Sequence, residues 1–77
     1  MAPMTQNLAD FVAGQLRAEL ARRLMPAAEM ARRLGVDETW VGRRMRGKSA
    51  ITMQDLERIA AALDLPVSHF IRDGVAA

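Results

Sequence analysis

Residues 26–46, PAAEMARRLGVDETWVGRRMR, contain two short runs of helical apolar spacing separated by a tight turn centred on Gly35 and Val36. No other stretch limits the fold as strongly. Two short helices packed near a right angle need a small residue facing the partner, which Ala31 supplies. They also need a turn residue that tolerates left-handed backbone, which Gly35 supplies four positions later. Met30, Leu34, Val36 and Val41 then provide the buried apolar contacts on either side of the crossing. Pro26 suits the opening turn of the leading helix, Asp37 is placed to cap the second, and Gly47 to end it. On that second helix Val41 and Met45, one turn apart, mark the inner side.

The flanking sequence is helical in the same sense, with no alternation of apolar and polar residues that would indicate strands. A first helix is expected to begin at Thr5 or Asn7. It carries Leu8, Phe11, Val12, Leu16 and Leu20 on one face, with Arg22 and Arg23 at its C-terminal end. A fourth, capped by Thr52 with Asp55 at N3, buries Met53, Leu56, Ile59, Ala60 and Leu63 and stops at Leu65-Pro66. Ser68 or the turn before it starts a last short helix, about 67–73. The expectation is one all-α domain of five helices spanning residues 1–77.

At 77 residues such a domain buries only about two-thirds of its unfolded surface, so a second subunit would add needed stability. The apolar residues of the C-terminal segment exceed what a five-helix core requires, and Val67, Phe70, Ile71 and Val75 are expected to form a homodimer contact. The absence of cysteine excludes disulfides and thiolate metal sites and fits a reducing compartment. No basic region precedes an apolar stretch at the N-terminus, and unbroken apolar runs reach five residues, as from Ile59 to Leu63. The expected location is the cytoplasm.

The net charge of +2 is distributed unevenly. Between Arg32 and Lys48 stand six basic residues (Arg32, Arg33, Arg43, Arg44, Arg46 and Lys48) against Asp37 and Glu38, a local net of +4 that leaves −2 for the rest. Ten of the eleven basic residues are arginine, the side chain suited to bidentate bonding of phosphate and guanine edges. A solvated surface has the same composition, so the position of the charge around one helix decides in favour of nucleic acid.

Through MARRLGVDETWVGRRMRGK and the following ITMQDLERIAAALDLPVSHF, the chain resembles the phage repressor and Cro-type (XRE-like) helix-turn-helix family. The resemblance implies a compact five-helix, lambda-repressor-like domain. It also implies a dimer whose second motif helix enters the major groove of double-stranded DNA at each half of a roughly palindromic operator. The family's base-facing positions fall on Glu38, Thr39, Gly42 and Arg43. Arg43 is the foremost of these, able to bond guanine O6 and N7, while Gly42 would let the helix approach the groove closely. Phosphate anchoring falls to Arg46, Lys48 and Ser49, and to backbone N–H groups at Ala27 and Ala28. Where relatives often place a glutamine at the start of the leading helix, this chain has Pro26, Ala27 and Ala28. Arg44 and Met45 exchange the usual apolar and polar positions, so the buried face of the second helix is expected to be turned slightly. Trp40 can stack on Arg44, pack at the core edge or lie on the DNA backbone, and core packing is preferred.

A catalytic reading lacks convergent groups: His69 is the single histidine, there is no tyrosine or cysteine, and no metal cluster or glycine-rich phosphate loop is present. His69 is expected on the surface or at an interface, and Met30, Met45 and Met53 as core filler. The chain offers no cofactor site and no room for a ligand sensor, so a compact repressor acting by occupancy is expected. The competing reading is a protein-interaction module of the same fold, antitoxin- or antirepressor-like. An RNA or membrane-surface binder would want more aromatic platforms than Phe11, Trp40 and Phe70.

Overall fold

The computed structural model describes residues 8–71, which form helices joined by short turns with no strand among them. These are α1 (Leu8–Arg22), α2 (Ala27–Leu34), α3 (Glu38–Met45) and α4 (Met53–Ala62), followed by α5 over residues 68–71. The expected caps at Thr5 and Asn7 lie outside the described residues, as does Val75.

Local chemistry sets the boundaries. Pro26 is the N-cap of α2, at φ −73° and ψ 159°, one position earlier than a first-turn proline. Gly35 ends α2 in the left-handed region at φ 74° and ψ 30°, where a Cβ would be strained. The Val36 N–H then donates back to the Ala31 carbonyl at 3.0 Å. Asp37 caps α3, its Oδ1 accepting from the Trp40 N–H at 2.9 Å, and Gly47 turns the chain away after α3 at φ 74°. Thr52 and Asp55 form a reciprocal capping box at the start of α4: the Asp55 N–H donates to Thr52 Oγ1 at 3.0 Å, and the Thr52 N–H to Asp55 Oδ2 at 3.1 Å. α4 stops at Leu63 and the left-handed Asp64, three residues before Pro66.

α2 packs against both α3 and α4, and α1 against α3. The shared core is built from Val12, Leu16 and Leu20 of α1, Met30 and Ala31 of α2, Val41 of α3, Leu56, Ile59 and Ala60 of α4, and Leu63 and Phe70. Phe70 is 0 % exposed. It closes the core from below and is not available as a dimer contact, which corrects the sequence expectation. Val67 and Ile71 are half-buried and pack against the same core. Two stripe residues are also corrected: Leu8 is 52 % and Met53 60 % exposed. Both lie at helix N-termini where no other element of the described residues crosses over them. They line an open apolar groove with Ile51, Leu56 and Ile71.

Three arginines hold the helices to one another at their C-terminal ends, where carbonyls lack intrahelical donors and the helix dipole favours a cation. Arg58 of α4 donates to the Leu34 carbonyl at the end of α2 at 2.8 Å. Arg23 of α1 donates to the Leu63 carbonyl at the end of α4 at 2.8 Å. Arg17 of α1 donates to the Met45 carbonyl at the end of α3. Part of the arginine content that composition suggests for nucleic acid is thus internal scaffolding, and the Arg17 contact fixes the end of α3.

Candidate nucleic-acid interface

α3 is seated by Val41, which is buried, and by Trp40 and Met45, which are half-buried against the core. Its period then turns Glu38, Thr39 and Arg43 outward, and all three are exposed. Arg46 and Lys48 are exposed beyond them, and Ser49 is half-buried. The Lys48 N–H donates to the Arg43 carbonyl at 2.8 Å, which folds the segment after α3 back over its last turn and brings Lys48 to the same end as Arg43. At α2, Ala28 is exposed and Ala27 half-buried against the core. The first backbone bonds of α2 run from Glu29 and Met30 to the Pro26 carbonyl at 3.0 and 3.2 Å. The N–H groups of Ala27 and Ala28 come before them, and Pro26 has no side-chain cap to offer.

Gly42 is the position where the structure changes the expectation. The helix is not bare there, because the Arg46 guanidinium lies over it. A Cβ at residue 42 would stand 3.1 Å from Arg46 Nη1 and 3.4 Å from Nη2. Any close approach along this part of α3 therefore meets Arg46 before it meets the Gly42 backbone.

The basic stretch divides into two classes. Arg33 pairs with Glu29 at 2.9 Å, and Arg32 lies 3.9 Å from the same carboxylate. Arg44 turns inward: its Cζ sits 3.9 Å from the Trp40 ring centroid and its Nη1 donates to the Trp40 carbonyl at 3.3 Å. Its buried Nε is 3.5 Å from Asp55 Oδ2, within ion-pair range but without a hydrogen bond. Trp40 thus packs at the core edge and stacks with Arg44 at once, and Arg44 is half-buried beside Met45, so the inner side is not turned away from Arg44 as the exchange suggested. Among the described residues Arg43, Arg46 and Lys48 have no protein partner. Their charges face solvent on one side of α3.

The residue that sequence reading missed is Glu19, 6 % exposed between Leu16 and Leu20 on the inner face of α1. Its carboxylate accepts from Arg22 at 2.5 Å and Arg23 at 2.7 Å, and His69 Nε2 lies 3.0 Å from Oε1. Hydrogen bonds from Arg23 and then Arg22 outweigh the opposing effect of burial and hold its pKa down at about 2. The signal was present: a glutamate on a buried stripe followed by arginines three and four residues later, the spacing at which helical side chains meet. His69, expected at the surface or an interface, is partly buried and ties α5 to α1 instead.

A family model described as a helix-turn-helix domain matches residues 12–70. The chain belongs to the helix-turn-helix family of DNA-binding regulators. The match begins at Val12 and ends at Phe70, both buried, so it covers the whole core that seats α3. Among solved structures, this helix-turn-helix domain is similar to the hypothetical transcription factor NHTF from Neisseria, with 27% identity and a TM-score of 0.79. The alignment covers 92% of this chain and 82% of that one. No curated protein sequence matches the chain. No helix among the described residues is long and apolar enough to cross a membrane.

Proposed function

We propose that this domain is a sequence-specific transcriptional regulator of the phage repressor or Cro type, binding a short, roughly palindromic duplex operator as a homodimer in the cytoplasm and repressing by occupancy. One observation carries the reading. Of the described arginines, all but Arg43 and Arg46 are engaged by a carboxylate or a backbone carbonyl of the same chain. Of these two, Arg43 lies on α3 and Arg46 is its C-cap, with Lys48 two residues beyond. Unpaired cations on the outward side of the second motif helix are what a polyanion with readable edges requires.

In this reading α3 lies in the major groove. Arg43 donates two hydrogen bonds to a guanine edge, while Thr39 and Glu38 meet a thymine methyl, a phosphate or a cytosine amino group at the leading end. Lys48, the Ser49 hydroxyl and the free N–H groups of Ala27 and Ala28 fix the phosphates. The dimer uses the C-terminal side, through Val67 and Ile71, without Phe70.

Anisotropy titrations of a duplex selected for binding, with wild type, Arg43→Ala and Lys48→Ala across a salt series, test these roles. Loss of Arg43 should relax base preference at one position at a cost of about 1–3 kcal/mol. Loss of Lys48 should weaken all sequences alike and reduce the salt slope by about one. Equal, sequence-blind losses for both variants contradict the assigned division.

A further inference from the structure

Gly42 stands in the middle of α3, although glycine is the poorest helix former after proline. The Arg46 side chain explains what the glycine makes room for. In a helix the side chain at i+4 leans back toward the N-terminus and over residue i. Arg46 follows that course fully: the site of a Cβ on residue 42 is 3.1 Å from Nη1, 3.4 Å from Nη2 and 3.6 Å from Cζ. The guanidinium therefore lies over residue 42, with its Nη1 and Nη2 edge nearest the helix. It does not extend from the helix end, where a contact limited to phosphate would place it. Any side chain at residue 42 would compete for that place. No carboxylate or carbonyl of the described residues engages Arg46, so its donors remain available. Arg43 is its neighbour at i,i+3 on the same surface.

We infer that Gly42 and Arg46 form one reading unit, in which the glycine vacates the position facing the bases and Arg46 fills it with a guanidinium. The inference rests on the DNA-binding reading above and moves Arg46 from anchoring the backbone to reading base edges. Arg43 and Arg46 then present two planar forks on consecutive turns. The partner they fit is a pair of neighbouring guanines, each offering O6 and N7 as acceptors in the major groove. Two like charges held side by side without a counter-ion also favour that electronegative edge over the thymine methyl or the amino group of cytosine. Gly42 is a positioning residue here, acting only through the arginine it seats.

The test is selection of duplexes from a randomised library by the purified full chain, with sequencing of the bound fraction and circular dichroism to verify helix content. Wild type should enrich a motif containing guanine at two neighbouring positions. Arg46→Ala and Arg46→Lys should each lose about tenfold of the preference at one of them and keep the other. Gly42→Ala should weaken the same position as the Arg46 variants, with helix content equal to wild type or higher. Lys48→Ala should keep the whole motif. Arg46 variants that bind every sequence more weakly with the motif intact, or Gly42→Ala with an unchanged motif, overturn the inference and leave the DNA-binding reading in place. A wild-type chain that enriches no sequence removes both.

Discussion

The domain has two arginine-rich corners that use the same side chain in opposite ways. At the end of α1, Arg22, Arg23 and His69 converge on the buried Glu19, and Arg23 also reaches the Leu63 carbonyl. Along α3, Arg43 and Arg46 stand without any such partner among the described residues. The first corner is complete by itself and joins α1, α4 and α5. The second presents charge that no carboxylate or carbonyl of the described residues engages. An arginine count therefore says little about nucleic-acid binding until each guanidinium has been assigned a partner, and in this domain that assignment separates scaffold from proposed interface.

Substitutions that act on one corner and leave the other alone sharpen the contrast. The largest effect is expected at the closed corner. Glu19→Ala leaves Arg22, Arg23 and His69 without their shared acceptor and should lower unfolding stability by about 2–3 kcal/mol in urea denaturation, toward the low end because both arginines reach solvent. Duplex affinity of the folded fraction should not change. A parallel loss of affinity would mean that the two corners are coupled.

The same carboxylate sets an acid limit. Its pKa falls from the ordinary 4.5 to about 2 on folding, so the unfolded chain binds the proton more tightly. The stabilisation is then complete above about pH 4.5 and is lost as pH falls toward 2. Its size is on the order of 2 kcal/mol after allowance for solvent screening of its exposed arginine partners. Stability measured across that window should decline in wild type and decline less in Glu19→Gln. Parallel curves would place the acid sensitivity elsewhere.

At the open corner the order of effects reverses. Arg43→Ala and Lys48→Ala should change stability by no more than about 0.5 kcal/mol, because surface charges without partners contribute little to folding, while duplex binding falls about tenfold or more. A destabilised Arg43→Ala would reveal an internal partner and erase the distinction.

The smallest effect belongs to Leu24, next to the closed corner, which holds a left-handed backbone at φ 55° with 89 % of its surface exposed. A leucine gains nothing there by burial and bears the Cβ penalty of that region. Leu24→Gly should therefore raise thermal stability by about 0.5 kcal/mol, the strain relief being partly offset by the freer unfolded chain. Calorimetric destabilisation would show that Leu24 makes a contact its exposure conceals.

Much of the fold is legible in the sequence because caps and turns depend on residues three to five positions apart. Gly35 with Ala31, Asp37 with Trp40, and Thr52 with Asp55 can be placed from spacing alone. The outward turn of Thr39 and Arg43 follows from the burial of Val41 two positions away, about half a helical turn. What escapes are features decided by distant packing. Leu8 and Met53 fit their helical stripes, yet no neighbour among the described residues covers them, whereas Phe70, near the end of the described residues, is drawn fully inside. The arginine contacts to Leu34, Met45 and Leu63 cross 24, 28 and 40 residues of sequence, and the Glu19–His69 contact crosses 50, so periodicity gives no hint of them. The Gly42–Arg46 arrangement falls between these cases, local in spacing but recognisable only once the guanidinium has a position.

The most direct measurement is the salt dependence of binding to a selected duplex for wild type beside the combined Arg43→Ala, Arg46→Ala, Lys48→Ala variant. If the outward side of α3 is the DNA-binding surface, wild type binds with log affinity falling linearly in log salt. The variant keeps its fold and loses nearly all specific binding, with a slope smaller by about one, the share of Lys48. Equal affinity and slope for the two proteins, or no attachment of wild type even in dilute buffer, would contradict it.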